Sequence, residues 1–241
     1  MSVFQNLSIA DQQSLDRPVW SALMTQHKLL AVGNSLACRY PSDISPFAAI
    51  ADQTSTSFDA LRAIIQVHGD VVLFSLNSIS SPPGLQMESV GDIQQMVAKD
   101  VVVSPSPDAR IIRLQDKDAP DMLELTSLTK PGPFAIHTHT LGEYIGIREE
   151  GQLVAMVGER MQFDGYVEMS AVCVHPDHRG SGYARILMTE LMHRIIRRGK
   201  SPFLHVFESN RGAIALYEQL GFVRRQCFVV IRLSAADQAT L

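Results

Sequence analysis

The sequence predicts an α/β (α+β) fold, on three observations. Short runs of branched apolar residues alternate with segments whose apolar residues recur at helical spacing. Gly, Pro and Asp punctuate the junctions, and the alternation becomes regular beyond residue 105. The 241 residues are 46% hydrophobic and 19% charged, enough for a sizeable core and too apolar for disorder.

In order along the chain, residues 19–30 predict a helix, with Val19, Trp20, Leu23 and Leu30 as a partial stripe. Residues 58–67 predict a second, because Phe58, Leu61, Ile64 and Ile65 share a face. Gly69-Asp70 breaks the chain before 71–76, which is short and apolar, as a buried strand would be. Residues 80–84 read as a loop, 93–99 as a helix and 101–103 as a strand. In Ser104-Pro105-Ser106-Pro107 the prolines cannot donate backbone hydrogen bonds and hold their predecessors extended. That segment predicts a linker, dividing the chain into an α/β region, 1–105, and a second domain, 106–241.

Beyond it, 109–114 predicts a strand and 120–128 a helix capped by Asp118. Strands follow over 144–149, 152–160 and 166–174, the first two joined by Glu150-Gly151. Residues 182–198 form the clearest helix: Ile186, Leu187, Leu191, Ile195 and Ile196 line one side, basic residues fill its last turn, and Gly199 ends it. A strand over 203–207, a helix over 211–220 stopped by Gly221, and a strand over 228–233 complete the pattern.

Composition excludes several functions. A net charge of −4 gives no basis for phosphate neutralisation, so no nucleic-acid partner is expected. No run approaches the roughly 20 apolar residues of a membrane span, and residues 1–11 show no basic segment followed by an apolar run, so neither membrane nor signal peptide is expected. Cys38, Cys173 and Cys227 are far apart and odd in number, which predicts free thiols in a reducing cytoplasm.

The chemistry concentrates in residues 172–184, a strand end, a basic turn with two glycines and a helix start. Free N–H groups at a helix start, with the positive end of its dipole, bind an anion such as a pyrophosphate. Gly180 and Gly182 lack a Cβ that would hold phosphate oxygens away. An ordinary strand-to-helix turn would look similar. A dinucleotide site would need a third glycine and an acid about 20 residues on. Gly199, Lys200 and Ser201 stand there, and none is acidic.

Arg179-Gly180-Ser181-Gly182-Tyr183-Ala184 resembles the Gln/Arg-x-x-Gly-x-Gly/Ala motif of the GCN5-related N-acetyltransferases, the GNAT superfamily. Asn210, Ala213, Leu216, Tyr217, Gly221 and Phe222 are similar in identity and spacing to a second family signature. The resemblance covers roughly 109–233 and is nearest the FR47-like branch. It implies a mixed, mostly antiparallel sheet flanked by helices, and the first hundred residues would be either a degenerate GNAT-like half or an unrelated cap. It also implies acetyl-CoA as co-substrate. Arg179, Gly180, Ser181, Gly182, Tyr183, Ala184 and Arg185 would hold its pyrophosphate, and Asn210 would touch the coenzyme or cap a helix. Main-chain amides of Val172, Cys173 and Val174 would form an oxyanion hole, and Tyr217 would protonate the leaving thiolate. Glu168 and His205 stand open as alternatives for the base. Glu168 shares a face with Ser170 and Val172, barring a bulge.

Cys173 invites an acyl-cysteine route, but no activating neighbour supports one, so direct transfer in a ternary complex is expected. His137, His139, His175 and His178 lack metal-ligand spacing, so no metal is expected. His178 and Arg179 would add charge near the phosphates, and Arg194 to Lys200 read as a solvated helix end. The expected partner is a primary amine on a small molecule, an amino acid or a peptide, met by residues 130–143, the N-terminal region, Tyr144 and Arg160. Oligomeric state is not readable. A longer acyl group or glycine as acceptor is the competing enzymatic reading, and a non-catalytic coenzyme-binding sensor or scaffold the competing non-enzymatic one.

Overall fold

The computed structural model describes residues 8–99 and 108–236. The chain opens with α1 (Ile9–Asp16) and α2 (Pro18–Met24), then β1 (Val32–Gly33), β2 (Ala37–Arg39), β3 (Ala48–Ile50), α3 (Ser55–His68), β4 (Val71–Ser75) and β5 (Leu85–Ala98). After residue 107 come β6 (Ile111–Arg113), α4 (Ala119–Thr129), β7 (Tyr144–Glu149), β8 (Gln152–Phe163), β9 (Tyr166–Val174), α5 (Tyr183–Arg197), β10 (Ser201–Phe207), α6 (Arg211–Gln219) and β11 (Phe222–Ala235). No described helix is long and apolar enough to cross a membrane.

Eight strands form the main sheet in the order β4-β11-β5-β10-β9-β8-β7-β6, while β1, β2 and β3 form a small one. Among the described residues, only the β9–β10 pairing in the main sheet is parallel; the others are antiparallel. The first hundred residues are built into this sheet. β5 lies between β10 and β11, and β4 hydrogen-bonds the outer side of β11. The expected linker at 104–107 and strand at 101–103 lie outside the described residues.

The helix expected over 93–99 is instead the second half of β5, and the reason is burial on both faces. Ile93 and Val97 enter the core beneath the N-terminal layer, Met96 enters the core beneath α5, and Gln94 and Gln95 are buried as well. Alternation vanishes when a strand is covered on both sides, so the apolar positions mimic a helical stripe. The helix expected over 19–30 stops at Met24, with a separate 3-10 turn at Lys28–Leu30. Asp118 stands at the N-cap position of α4, but its side chain makes no cap hydrogen bond there. Its carboxylate accepts from the Gln115 N–H and the Arg148 guanidinium.

Two layers cover the sheet. On one face α5 buries Leu187, Met188, Leu191, Met192 and Ile195 against Ile145, Val157, Val167 and Met169, each large apolar side chain contributing about 1.5–3 kcal/mol. On the other, Leu15 of α1, Leu23 of α2, and Tyr40 and Phe47 beside the small sheet pack on Ile93, Phe163, Phe203 and Phe228, and α4 covers the adjoining strands. Gly158 is required by this second layer, because a Cβ there would stand 2.1 Å from the ring of Tyr144.

Candidate active site

The site originates in two bulges. Along β8 and β9, Gly158 pairs with Ser170 and Met156 with Cys173, so Val157 alone faces both Ala171 and Val172. Ala171 takes φ +52°, the left-handed conformation of a bulged residue. The extra residue reverses the alternation: Ala171 and Cys173 pack into the α4 core, whereas Val172 and Val174 pack against the α5 side. Val172 therefore does not share the face of Glu168, contrary to simple alternation.

The same stretch parts from its neighbour. β9 and β10 pair at Ser201–Tyr166, Pro202–Val167 and Phe203–Glu168, and the pairing ends there. Main-chain groups of residues 170–174 that face the widening gap have no strand partner on that side among the described residues. A cavity of about 740 Å³ fills the gap, lined by Ser170, Val172 and Val174 on one strand and Leu204, His205 and Val206 on the other. It passes through the sheet. Leu216 and Tyr217 of α6 line it on one side, Phe47, Phe74 and Arg160 on the other.

The glycine turn forms one end. Gly180 and Gly182 have φ +83° and +79°, and a Cβ on either would meet nothing within 4 Å, so the space before the turn is open. Gly182 is the N-cap of α5 without a side-chain cap hydrogen bond, and no acid occupies the first turn. The first amides of a long helix are thus left for an anion. Arg179, Gly180, Gly182, Tyr183, Ala184 and Arg185 line the cavity, as does Asn210; Ser181 does not. The Tyr183 hydroxyl donates to Glu149 at 2.6 Å and anchors the helix start to β7, while Arg185 donates to Gln219. Asn210 caps α6 through its oxygen, accepting from the Ala213 N–H at 3.2 Å. Its amide N–H groups remain for a ligand.

Tyr217 is buried, packs edge-on to Phe222 and lines the cavity. Burial pushes its hydroxyl up to about 12, so it keeps its proton at neutral pH.

Glu168 and His205 belong to one hydrogen-bonded group. The second bulge places Arg160 and Met161 of β8 opposite Glu168 alone. Arg160 donates through Nε and Nη2 to the Glu168 carboxylate at 2.8 and 2.6 Å, and the Met161 N–H donates at 3.3 Å. His205 Nδ1 lies 2.7 Å from the same carboxylate. Burial would raise the Glu168 pKa, but the Arg160 charge and the hydrogen bonds from Arg160 and His205 outweigh it, bringing it down to about 2. An anionic Glu168 assigns the His205 proton to Nδ1. Nε2 is then the acceptor, 3.2 Å from Gln95 Nε2, and Gln95 Oε1 accepts from Arg225 at 2.9 Å. Burial lowers the His205 pKa, which Glu168 only partly opposes. His205 lines the cavity and Glu168 lies behind it, fully enclosed.

The Cys173 thiol points to the α4 core, does not line the cavity, and is pushed by burial up to about 12, against a nucleophilic role. Tyr144 is buried beneath α4 and does not line the cavity, whereas Arg160 and residues 130–133 do. His137 caps and His139 lies within a 3-10 turn, not a strand, and they bind Asp43 and Asp116 separately. No cluster of potential metal ligands occurs among the described residues. Arg194 pairs with Glu143 and Glu190, and Arg198 with the buried Glu159, so that helix end is anchored. Phe47, Phe74 and Gln95 escaped the sequence reading; two adjacent glutamines amid apolar residues were the available signal for the last.

A parallel strand pair splayed at a bulge, with an uncapped glycine turn at its exit, defines the acyltransferase fold of the GCN5-related type. Residues 144–230 match the FR47-like protein family. A GNAT-family protein from Novosphingobium aromaticivorans is 34% identical and superposes with a TM-score of 0.83, covering 92% of this chain and 98% of that one. The L-amino acid N-acyltransferase MnaT of Escherichia coli is 38% identical over 92 residues, 35% of this chain and 53% of its own length. The N-alpha-acetyltransferase RimI of Mycobacterium tuberculosis is 32% identical over 114 residues, 44% of this chain and 65% of its own. The chain spans between a quarter and two thirds of the length of the curated relatives it matches. It belongs to the GNAT family.

Proposed function

We propose that the chain transfers the acetyl group of acetyl-CoA to a primary amine by direct attack in a ternary complex. The observation that carries this reading is the continuity of one cavity from the uncapped Gly180–Gly182 turn, through the split between β9 and β10, to the Arg160 and His205 side chains. Acetyl-CoA supplies an activated thioester; the chain's residues do the rest. Amides of residues 179–185 bind the pyrophosphate, and the Asn210 amide holds the coenzyme arm. Gap-facing amides between Val172 and Val174, Cys173 included through its main chain, donate to the thioester oxygen as it gains charge. Tyr217 gives its proton to the departing sulfur. His205 Nε2 takes the amine proton after displacing the long Gln95 contact, and Glu168 fixes its tautomer. Names of relatives support amine acetylation and span amino acids and N-alpha positions.

Calorimetric titration with acetyl-CoA, followed by thiol release across an amine panel, tests the reading. No binding sinks it, and binding without turnover of any amine favours the sensor. Propionyl- and butyryl-CoA in the same assay test acyl length. Gly182→Ala is expected to weaken acetyl-CoA binding about tenfold or more, because an L-residue at this left-handed φ costs roughly 1–2 kcal/mol and its Cβ would enter the open phosphate space. Unchanged affinity would remove the turn from the binding site. An NMR titration of the ring nitrogens is expected to find His205 neutral at pH 6.5, its proton on Nδ1, and charging only at lower pH. A cationic ring at pH 6.5 would exclude it as the base.

A further inference from the structure

Beyond the split, the cavity wall is apolar and comes largely from the first hundred residues. Phe47, Val72 and Phe74 line it with Ile93 and Val230. Phe47 and Phe74 have ring centroids 4.9 Å apart, and the Phe74 ring lies 5.1 Å from His205. Within this wall stands one fixed cation. The Arg160 guanidinium carbon sits 4.8 Å from the Phe47 ring centroid, and Nε and Nη2 are taken by Glu168. Nη1 has no hydrogen-bond partner among the described residues, although Arg160 is only 8% exposed. A guanidinium clamped along one edge and stacked on one face offers its remaining nitrogen in a fixed direction.

Charge around the cavity is one-sided. No Asp or Glu is among its described lining residues, while Lys130, Arg160, Arg179, Arg185 and Arg232 are. Arg179 and Arg185 flank the phosphate turn. At the other end, a second ammonium group on the acceptor would lose water and meet no carboxylate. A carboxylate there would meet Arg160.

We propose that the chamber bounded by Phe47, Phe74 and Arg160 selects as acceptor a free α-amino acid with an aromatic or branched apolar side chain, its carboxylate received by Arg160 Nη1. The N-terminal region thereby determines acceptor specificity. The α-carbon keeps the amine within one bond of the carboxylate-bearing carbon, so anchoring on Arg160 holds the amine beside His205, and the side chain takes the place of water against the two phenylalanines. Polyamines and aminoglycosides lack the anion and bring a charge the chamber does not neutralise.

This inference rests on the acetyl transfer proposed above, and one design separates the two. Acetyl-CoA binding is measured first by calorimetry. Thiol release is then compared for L-phenylalanine, L-leucine, L-phenylalaninamide and spermidine. The expected kcat/KM for L-phenylalanine or L-leucine exceeds that for L-phenylalaninamide by about 10- to 100-fold, the range of a hydrogen bond between charged groups, and spermidine is the poorest acceptor. Arg160→Lys keeps a charge for Glu168 but loses the fork, and is expected to erase most of the preference for the free carboxylate. Phe74→Ala is expected to raise KM for L-phenylalanine about tenfold with acetyl-CoA affinity unchanged. Intact coenzyme binding with equal or better turnover of L-phenylalaninamide or spermidine overturns the inference and leaves acetyl transfer standing. Loss of coenzyme binding in the unaltered protein overturns both.

Discussion

Tyr217→Phe is expected to lower kcat by about 10²- to 10⁴-fold, the usual contribution of a positioned general acid, with acetyl-CoA affinity essentially unchanged. The phenol lines the cavity on the α6 side, just beyond Asn210 and Leu216, which line the same wall. Phenylalanine preserves the ring and its edge-on packing with Phe222, so the fold and the coenzyme groove should survive. What disappears is one proton. Without it the sulfur must leave as a thiolate into a buried, largely apolar space, where an isolated anion is costly. Because burial pushes Tyr217 up to about 12, its own ionisation should produce no alkaline loss of activity below about pH 10. Thiol release under saturating acceptor, paired with calorimetry on the same variant, measures the effect. A loss smaller than tenfold assigns the proton to another donor, and a parallel loss of coenzyme affinity makes Tyr217 a binding residue.

The parts of this site legible in the sequence are those encoded locally. A strand end, two glycines and an amphipathic helix occur in consecutive residues, and α5 forms where Leu187, Leu191 and Ile195 predict it. Asn210 and Tyr217 likewise belong to one short helix that carries its own cap. Pairing across the sheet was not legible. The bulged position is held by Ala171, which carries none of the glycine signal that left-handed backbone usually shows, so the change of face at Val172 leaves no mark in the sequence. Arg160 and Glu168 meet because β8 carries an extra residue, and Gln95 reaches His205 because β5 crosses from the other side of the chain to pair with β10. Burial on both faces erased the period of two in β5 and hid that crossing. The acceptor wall was out of reach for the same reason: Phe47 and Phe74 lie far in sequence from the motifs and join them only through the shared sheet.

Glu168→Ala carries the largest expected effect on stability, a loss of about 3–5 kcal/mol in denaturant unfolding, because it strands a buried charge. In a fold whose total stability is roughly 5–15 kcal/mol, that removes a large fraction. The hydrogen bonds run in one direction. Arg225 donates to Gln95, Gln95 to His205, His205 to Glu168, and Arg160 donates to Glu168 from the far side. Glu168 is the common acceptor, so its removal leaves Arg160 desolvated without a counter-charge and His205 Nδ1 without a partner. Glu168→Gln keeps the shape but puts an amide NH2 where a carboxylate oxygen accepts from two donors, and should fall between Glu168→Ala and the wild type. Replacing the pair together, Arg160→Met with Glu168→Leu, should recover much of the loss, since no charge then remains buried. Acid should act in the same direction. Both groups have folded pKa values below their ordinary ones, so the unfolded chain binds more protons. Stability from His205 is complete above pH 6.5 and declines below it, and that from Glu168 is complete above 4.5 and lost as pH falls through about 2. Melting temperatures across this range should drop in the wild type and change less in the Leu/Met double variant. A Glu168→Ala protein within 1 kcal/mol of wild type, or equal acid sensitivity in the two, would show that this network does not hold the sheet together behind the site.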